Sequence, residues 1–282
     1  MKQRTPAQRR LLLAAFSALL LFLALLLRQG VRRGDAVRVG VPRSAEAIGA
    51  AMLLQTPSAQ YRCVLGSTAQ ALAAALQSGD IDAALLPREL AQSVPGCRVE
   101  AVIGYETAVV MTRRPGPESW TDLTGQTLTL PETMAGSGAE DMLRRLLQSS
   151  HVRAGIAYGA PADPYLCGLD EAAALIAADG SWRVAFSLSR QWSKWLPDPP
   201  PAGLCLTVSE NYLSGAGGDY DAFLRALRSS LRYGAEKRKK TVAMAAAAGL
   251  TPGGEDTADK IYPRIDFIWL TGEDMRAALS LP

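Results

Sequence analysis

The sequence predicts an α/β protein with two lobes joined by two hinge strands and preceded by an N-terminal transmembrane helix or signal sequence. Strand and helix patterns alternate as β-α-β-α-β between residues 37 and 86, an order typical of parallel strands joined by right-handed crossovers. A second alternating series runs from 115 to 188, and one more strand pattern follows at 204–208. A chain that leaves one sheet, builds another and returns forms two lobes with a cleft between them.

The N-terminal stretch 11–27 contains no charged residue and lies at the lower limit of the roughly 17–25 apolar residues that span a bilayer. It is longer than the core of about 7–15 residues in a secretory signal, yet both an uncleaved anchor and a cleaved signal fit. Basic residues flank it, with more before it than after it, which favours an extracytoplasmic location for the rest of the chain. They are Lys2, Arg4, Arg9, Arg10, Arg28, Arg32 and Arg33. The predicted location is the outer face of a bacterial cell membrane, with the stretch as anchor, or the exterior if the stretch is cleaved.

The composition indicates an ordinary globular protein. The 282 residues are 48% hydrophobic with a net charge of +3, and the basic excess around the N-terminal stretch gives no indication of nucleic-acid binding. The four cysteines, Cys63, Cys97, Cys167 and Cys205, have no CxxC spacing, so we expect no metal-binding cysteine cluster. An extracytoplasmic address permits disulfides. Cys63–Cys97 is the first pair to test, and buried free thiols are the alternative.

The first series contains a unit of helix, turn and buried strand. Ser67 and Thr68 are of the types that cap helix N-termini, and Gly79 suits the left-handed residue at a helix end. The apolar run 83–86 has the length of a buried strand, and Pro87 ends it. For the whole series we predict strands at 37–41, 61–65 and 81–86 and helices at 45–55 and 68–78.

The stretch 99–113 lies between the two series. It is too long for one ordinary strand and is predicted to continue from a strand into a linker between the lobes. The next predicted elements are a capped turn at 119–125, strands at 126–130, 154–158 and 182–188, and helices at 139–149 and 169–178. We then expect a helical turn at 189–196, a return strand at 204–208, helices at 220–233, 241–250 and 274–281, and a last strand at 265–269. The predicted domains are a signal or anchor segment at 1–35, a first lobe at 36–107 plus 206–282, and a second lobe at 108–205.

Five segments, taken in order, carry a resemblance to one family. They are LQSGDIDAALLP (76–87), SWTDLTGQTLTLP (119–131), WRVAFSLSRQW (182–192), GLCLTVSENYL (203–213) and YDAFLRALRSSLRY (220–233). Together they resemble the substrate-binding proteins of ABC transporters of the nitrate, sulfonate, taurine and thiamine-precursor type. The resemblance covers most of residues 36–280. It implies a type II periplasmic-binding-protein fold, an anionic or heteroaromatic small organic ligand, an ABC permease as partner and no cofactor. The span 149–182 is shorter than in the family, so we expect a shortened second lobe.

The predicted ligand-binding residues lie in loops after strands and at helix N-termini, where unpaired N–H groups favour anions. They are Arg43, Ser44, Ser67, Thr68, Pro87, Arg88, Tyr105, Glu132, Ser137, Gly138 and Tyr158. Ordinary structural roles are the alternatives: helix capping for Ser67 and Thr68, solvent exposure for the arginines, a plain helix start at Ser137 and packing for the tyrosines. The loops show no acidic cluster of the kind that a cationic ligand requires.

The sequence predicts no catalytic residue and no metal site. His151 is the only histidine, and the chain has no HExxH motif, no phosphate-loop lysine motif and no clustered carboxylate pair. The favoured hypothesis is a solute-binding protein that serves an ABC importer and is not an enzyme. A membrane-tethered sensing or interaction domain without transport is the alternative. A pyrimidine-synthase-type enzyme is less favoured, because the His and Cys-rich iron motif of those relatives is absent from the sequence.

Overall fold

A computed structural model of the protein describes residues 36–215 and 218–281. The predicted anchor or signal at 11–27 lies outside these residues. Among the residues described, no helix is both long enough and apolar enough to cross a membrane.

Strands and helices are interspersed in the described chain as far as β10, and only helices follow β10. The strands are β1 (Val37–Pro42), β2 (Tyr61–Gly66), β3 (Ala83–Pro87), β4 (Cys97–Tyr105), β5 (Val109–Thr112), β6 (Thr127–Leu130), β7 (Gly155–Tyr158), β8 (Tyr165–Cys167), β9 (Arg183–Ser187) and β10 (Ala202–Ser209). The α-helices are α1 (Ala51–Gln55), α2 (Ala69–Ser78), α3 (Arg88–Ser93), α4 (Gly138–Ser150), α5 (Leu169–Ala178), α6 (Leu188–Trp195), α7 (Glu210–Leu213), α8 (Gly218–Glu236), α9 (Arg238–Ala247), α10 (Gly254–Ile261) and α11 (Gly272–Ser280). Short 3-10 helices form at Ala45–Ala50, Trp120–Leu123, Glu132–Met134 and Tyr262–Arg264.

The first sheet has the strand order β2-β1-β3-β10-β4. Strand β1 pairs in parallel with β2 and β3, as the β-α-β-α-β order predicts. Strand β10 returns from the second sheet and inserts antiparallel between β3 and β4. The return strand is therefore an interior strand of the first sheet, not an edge strand.

The second sheet has the strand order β7-β6-β8-β5-β9. Strand β6 runs parallel to β7 and β8, while β5 runs antiparallel to β8 and β9. The chain passes from the first sheet to the second between β4 and β5, and it returns between β9 and β10. This is the two-lobed arrangement with two connections that the sequence predicts. The predicted lobe boundary at 205/206 falls inside β10, so the bounds of the lobes stay a prediction.

Helix α2 forms where the local signals predict it. The Thr68 hydroxyl accepts a hydrogen bond from the Ala71 N–H at 3.0 Å, which satisfies one of the free donors of the first turn. Gly79 ends the helix in the left-handed conformation at φ 79°. Leu72 and Leu76 are buried against the first sheet.

A single apolar cluster reaches from one sheet to the other. It includes Val39 and Leu85 of the first sheet, Val109 of the second, and Leu169 and Ile176 of helix α5. Helix α5 packs against the 3-10 helix Ala45–Ala50 and against α10. The two lobes therefore share a packed layer, in line with the finding that residues 37–282 form one compact unit.

The sequence analysis and the structure differ at residues 265–269 and at β8. The strand predicted at 265–269 does not form. Only an isolated bridge joins Leu270 to Val102, and this leaves the segment as an irregular cover on edge strand β4. Strand β8 was missed because it is only 3 residues long, too short for an alternating pattern to be recognised.

The suggested Cys63–Cys97 disulfide does not form. All four cysteines are free thiols. Cys63 lies on β2 and Cys97 on β4, which are the opposite edges of the first sheet. Four strand spacings separate them by about 19 Å, whereas bridged cysteines have Cα atoms within about 7 Å.

Candidate functional site

In both sheets, one set of strand ends faces the segments that connect the sheets. In the first sheet, β3 ends at Pro87, which pairs with Leu204 near the start of β10. Strand β4 ends at Tyr105, which pairs with Ala202. The carboxyl ends of β1, β2 and β3 thus lie at the same end of the sheet as the two connections. Open α/β sheets bind ligands at the carboxyl ends of their strands.

The second sheet repeats this geometry. Val109, the first residue of β5, pairs with Cys167 at the end of β8 and with Ser187 at the end of β9. Leu130 at the end of β6 pairs with Tyr158 at the end of β7. The carboxyl ends of β6, β7, β8 and β9 therefore lie at the end of the sheet where the chain enters from the first sheet.

Two hydrogen bonds tie the loop after β1 to residues outside the first sheet. The Thr107 hydroxyl donates to the Glu46 carboxylate at 2.7 Å, and Thr107 lies in the connection between β4 and β5. The Ala45 N–H donates to the Asp170 carboxylate at 2.6 Å, and Asp170 is in the first turn of α5. We call the group of Glu46, Glu106, Thr107 and Asp170 the interlobe site.

Burial controls the protonation of the interlobe site. It raises the pKa of Glu106 to about 8, with the charges of Glu46 and Glu89 adding to the effect and Arg88 opposing it. Burial also raises the pKa of Glu46, against the hydrogen bond from Thr107. At neutral pH the Glu106 carboxyl is therefore mostly protonated, and it can donate a hydrogen bond as well as accept one.

The predicted residues after β1 and β2 act mainly as helix caps. The Ser44 hydroxyl accepts from the Glu46 N–H at 3.2 Å, and Thr68 caps α2. Arg43 is exposed, and its N–H donates to the Gly66 carbonyl at 3.2 Å, which ties the two loops together. Ser67 is exposed, so its hydroxyl stays accessible to a ligand.

The predicted residues near the end of β3 lie beside Glu106. Pro87 precedes α3 at its N-cap position. Arg88 is 7% exposed, and it bonds both Glu89 at 2.9 Å and the backbone carbonyl of Leu281. Solvent exposure, the alternative considered for Arg88 in the sequence analysis, is therefore wrong, because the side chain is buried and bonded within the fold. Tyr105 is half-buried, and burial raises its pKa.

The predicted residues of the second lobe form a separate group. The Ser137 hydroxyl accepts from the Glu140 N–H at 3.3 Å and caps α4, which begins at Gly138. The Tyr158 hydroxyl donates to the Glu140 carboxylate at 2.6 Å, so Tyr158 does not simply pack. Glu132 is exposed in its 3-10 helix.

The sequence analysis missed the four residues of the interlobe site. The sequence analysis overlooked that carboxyl groups approach one another here: Glu46 and Glu106 interact, and Asp170 also influences the pKa of Glu46. The raised pKa values of Glu46 and Glu106 reduce the negative charge of the group. One signal was available. Glu106 is the only acidic residue in the apolar run 101–112, and a carboxyl in such a run has to be buried or to serve a site. Among the described residues no group of three or more His, Cys, Asp or Glu side chains is placed to hold a metal ion.

Comparison with known proteins identifies the class of fold. No protein-family model matches the sequence, and no curated protein matches it. The described fold is that of solute-binding proteins with two lobes, and the periplasmic-binding-protein-like fold predicted from the sequence is confirmed.

Three solved structures represent this similarity. An ABC transporter protein from Parabacteroides distasonis has a TM-score of 0.62 and 17% identity, over 87% of this chain and 89% of that chain. The periplasmic aliphatic sulphonate binding protein from Escherichia coli has a TM-score of 0.59 and 15% identity, over 87% and 84%. The alkanesulfonate-binding protein from Xanthomonas axonopodis pv. citri, bound to MOPS, has a TM-score of 0.55 and 16% identity, over 86% and 90%. At these identities the similarity concerns the fold.

Proposed function

We propose that this protein is an extracytoplasmic solute-binding protein that captures a small organic ligand between its lobes and delivers it to the permease of an ABC importer. The observation that carries the proposal is the convergence of strand ends from both sheets on the segments that connect them. The solved structures with this fold include sulfonate-binding proteins and the ligand-binding component of an ABC-type import system from Staphylococcus aureus. They are binding proteins, which supports a binding role over an enzymatic one.

The interlobe site and the loops around it are the proposed binding region. Ser67 offers an exposed hydroxyl, and helix α4, capped by Ser137, offers the backbone N–H of its first residue, Gly138. The protonated carboxyl of Glu106 provides a further hydrogen-bond donor. These groups support the anionic or heteroaromatic solute that the resemblance implies. The remaining predicted ligand residues stay proposals of lower weight, because most of their polar atoms already serve the fold.

A thermal-shift screen of the purified full-length chain tests the proposal. The panel contains taurine, alkanesulfonates, nitrate and pyrimidine precursors of thiamine. A ligand that binds only the native state raises the melting temperature in proportion to the logarithm of its concentration. Concentration-dependent stabilisation by one solute class is the expected result, and the absence of any shift across the panel contradicts the proposed solute class.

The pH dependence of affinity tests the role of Glu106. A bound anion favours the protonated carboxyl, so its affinity is expected to fall as the pH rises through about 8. The Glu106→Gln variant keeps a neutral side chain and is expected to lose this dependence, whereas Glu236→Gln, an exposed control, keeps it. A solute whose affinity rises over the same pH range is cationic and overturns the assignment of an anion.

The second candidate is a membrane-tethered sensing or interaction domain that does not take part in transport. The apolar layer shared by both lobes favours it, because that layer opposes wide opening of the cleft. Importer reconstitution separates the two candidates, since only the first predicts that the protein stimulates uptake of its solute by a permease.

A further inference from the structure

A basic cavity lies at the outer edge of the second sheet, away from the interlobe site. Its volume is about 560 Å³, and Arg113, Arg114, Trp182, Arg183 and Lys260 are among the residues that line it. Arg183 begins β9 and pairs with Thr112 at the end of β5. The interlobe site adjoins the opposite end of this strand pair, so the cavity is a separate place on the molecule.

Arg113 is held in position by three contacts. Its guanidinium donates to the Asp179 carboxylate at 3.1 Å and to the Ser181 hydroxyl at 3.2 Å. The guanidinium carbon lies 4.1 Å from the centre of the Trp182 ring. Burial of Trp182, which is 3% exposed, makes this ring a fixed platform. Arg113 therefore presents its charge in a defined orientation.

Arg183 carries two buried nitrogen atoms that lack a hydrogen-bond acceptor among the described residues. Its Nε and Nη2 atoms are buried and make no hydrogen bond within the described part of the chain. The carboxylate of Glu118 lies 3.8 Å from Nη2, beyond hydrogen-bond distance, and the Glu118 side chain is 81% exposed. Leaving buried donors of a charged group unsatisfied is costly. An anion bound in the cavity would remove that cost.

The basic residues that line the cavity outnumber their acidic ion-pair partners by one, since Arg183 also lies within 4 Å of Glu118. Lys260 pairs with Asp256 at 2.7 Å, as Arg113 does with Asp179. In the described part of the chain, no ion pair or hydrogen bond neutralises the exposed Arg114 side chain. Arg264 lies nearby and donates to the Val184 and Ala185 carbonyls at 3.2 and 3.0 Å. Burial, together with the charges of Arg190 and Arg183, lowers the pKa of Arg264, as expected where cations crowd together.

We propose that this cavity is a second ligand site, which binds a small molecule carrying a phosphate-type oxyanion. Guanidinium groups match the oxygens of such anions in bidentate pairs. The cavity volume lies in the range of about 300–1,000 Å³ that is usual for small-molecule sites, which favours an organic phosphate or a pyrophosphate over a single ion. The proposal does not depend on whether the interlobe site binds a solute.

Isothermal titration of the full-length chain with pyrophosphate tests the site. The test variant is Arg114→Gln/Lys260→Gln, which removes two exposed charges of the cavity. The matched control is Arg62→Gln/Lys239→Gln, which removes the same two charge types from exposed positions elsewhere. We expect saturable binding to the wild type, at least about tenfold weaker binding to the test variant, and a change of less than about twofold in the control. Arg183→Gln, checked for an unchanged melting temperature, is expected to weaken binding as well.

The outcomes separate a free ligand from a lipid. Absence of saturable pyrophosphate binding together with absence of binding to vesicles that contain phosphatidic acid overturns the proposal. Equal losses in the test and control variants overturn it too, because they indicate a general charge effect. Vesicle binding that only the test variant loses supports the oxyanion site and assigns its phosphate to a lipid headgroup.

Discussion

Glu106 shows how one residue can link the fold to its solution behaviour. The carboxyl lies at the first connection between the sheets, beside Arg88 and Glu89, and burial raises its pKa to about 8. Its position between β4 and β5 keeps it near the carboxyl ends of strands in both sheets. The protonation of this single group therefore affects both stability and the proposed binding.

Stability is expected to fall with rising pH because of Glu106. In the unfolded chain a glutamate releases its proton near 4.5, whereas the folded chain holds this one until about 8. Between these values the native state binds more protons, so the free energy of unfolding decreases as the pH rises, by at most about 1.4 kcal/mol per pH unit for one group. Above pH 8 this contribution is lost completely. Glu46 acts in the same direction.

Thermal melts between pH 5 and pH 9 measure this dependence. The Glu106→Gln variant is expected to show a shallower decrease in melting temperature, while Glu236→Gln follows the wild type. A wild-type melting temperature that rises steadily from pH 5 to pH 8 would show that Glu106 is not held protonated.

At the scale of the elements, helix α5 is the main contact between the lobes. Its first turn supplies Asp170 to the Ala45 N–H, and its apolar face packs on the 3-10 helix Ala45–Ala50. An anionic side chain at that N–H also interacts favourably with the positive N-terminal end of the dipole of the short helix. The element thus joins the lobes through a polar contact and an apolar one.

Removal of the Asp170 carboxylate is expected to destabilise the protein. Asp170→Ala leaves the N–H of fully buried Ala45 without its partner, which costs about 1–3 kcal/mol. Asp141→Ala, an exposed residue in the first turn of α4, is the control and is expected to change stability by less than about 0.5 kcal/mol. Chemical denaturation of both variants measures the difference, and equal losses would remove any special role for Asp170.

The elements also show what the sequence can and cannot predict. Helix α2 and strand β3 were predicted well because their signals are local: a capping threonine, Gly79 and an apolar run. The interlobe site was not predicted, because Glu46, Glu106 and Asp170 are far apart in the chain and their approach depends on sheet topology. The strand predicted at 265–269 fails for a related reason, since an apolar run does not reveal whether the segment pairs along its length with its neighbour, and here only Leu270 forms a bridge, to Val102.

At the scale of the whole molecule, the two lobes are less independent than two sheets suggest. The cluster that contains Val39, Val109 and Leu169 is continuous from one to the other. Opening the lobes along this layer would expose apolar surface at a cost of about 25 cal/mol per Å². We therefore expect a solute to enter with limited movement of the lobes.

Amide hydrogen exchange of the full-length chain tests this expectation. The amides of α5 are expected to exchange slowly, at rates similar to those of the interior strand β1, both without solute and with it. Fast exchange of α5 that becomes slow when solute binds would indicate a wide opening, in conflict with the shared layer. The exposed residues 235–236 at the end of α8 serve as the fast-exchanging reference within the same sample.

The side chain of Arg264 has a further consequence for self-association. It donates to the Val184 and Ala185 carbonyls of β9, which is an edge strand of the second sheet. Unpaired edge groups are templates on which a foreign strand can grow. With these two acceptors occupied, β9 is a poorer template, so strand addition that uses either carbonyl would first have to displace a guanidinium group.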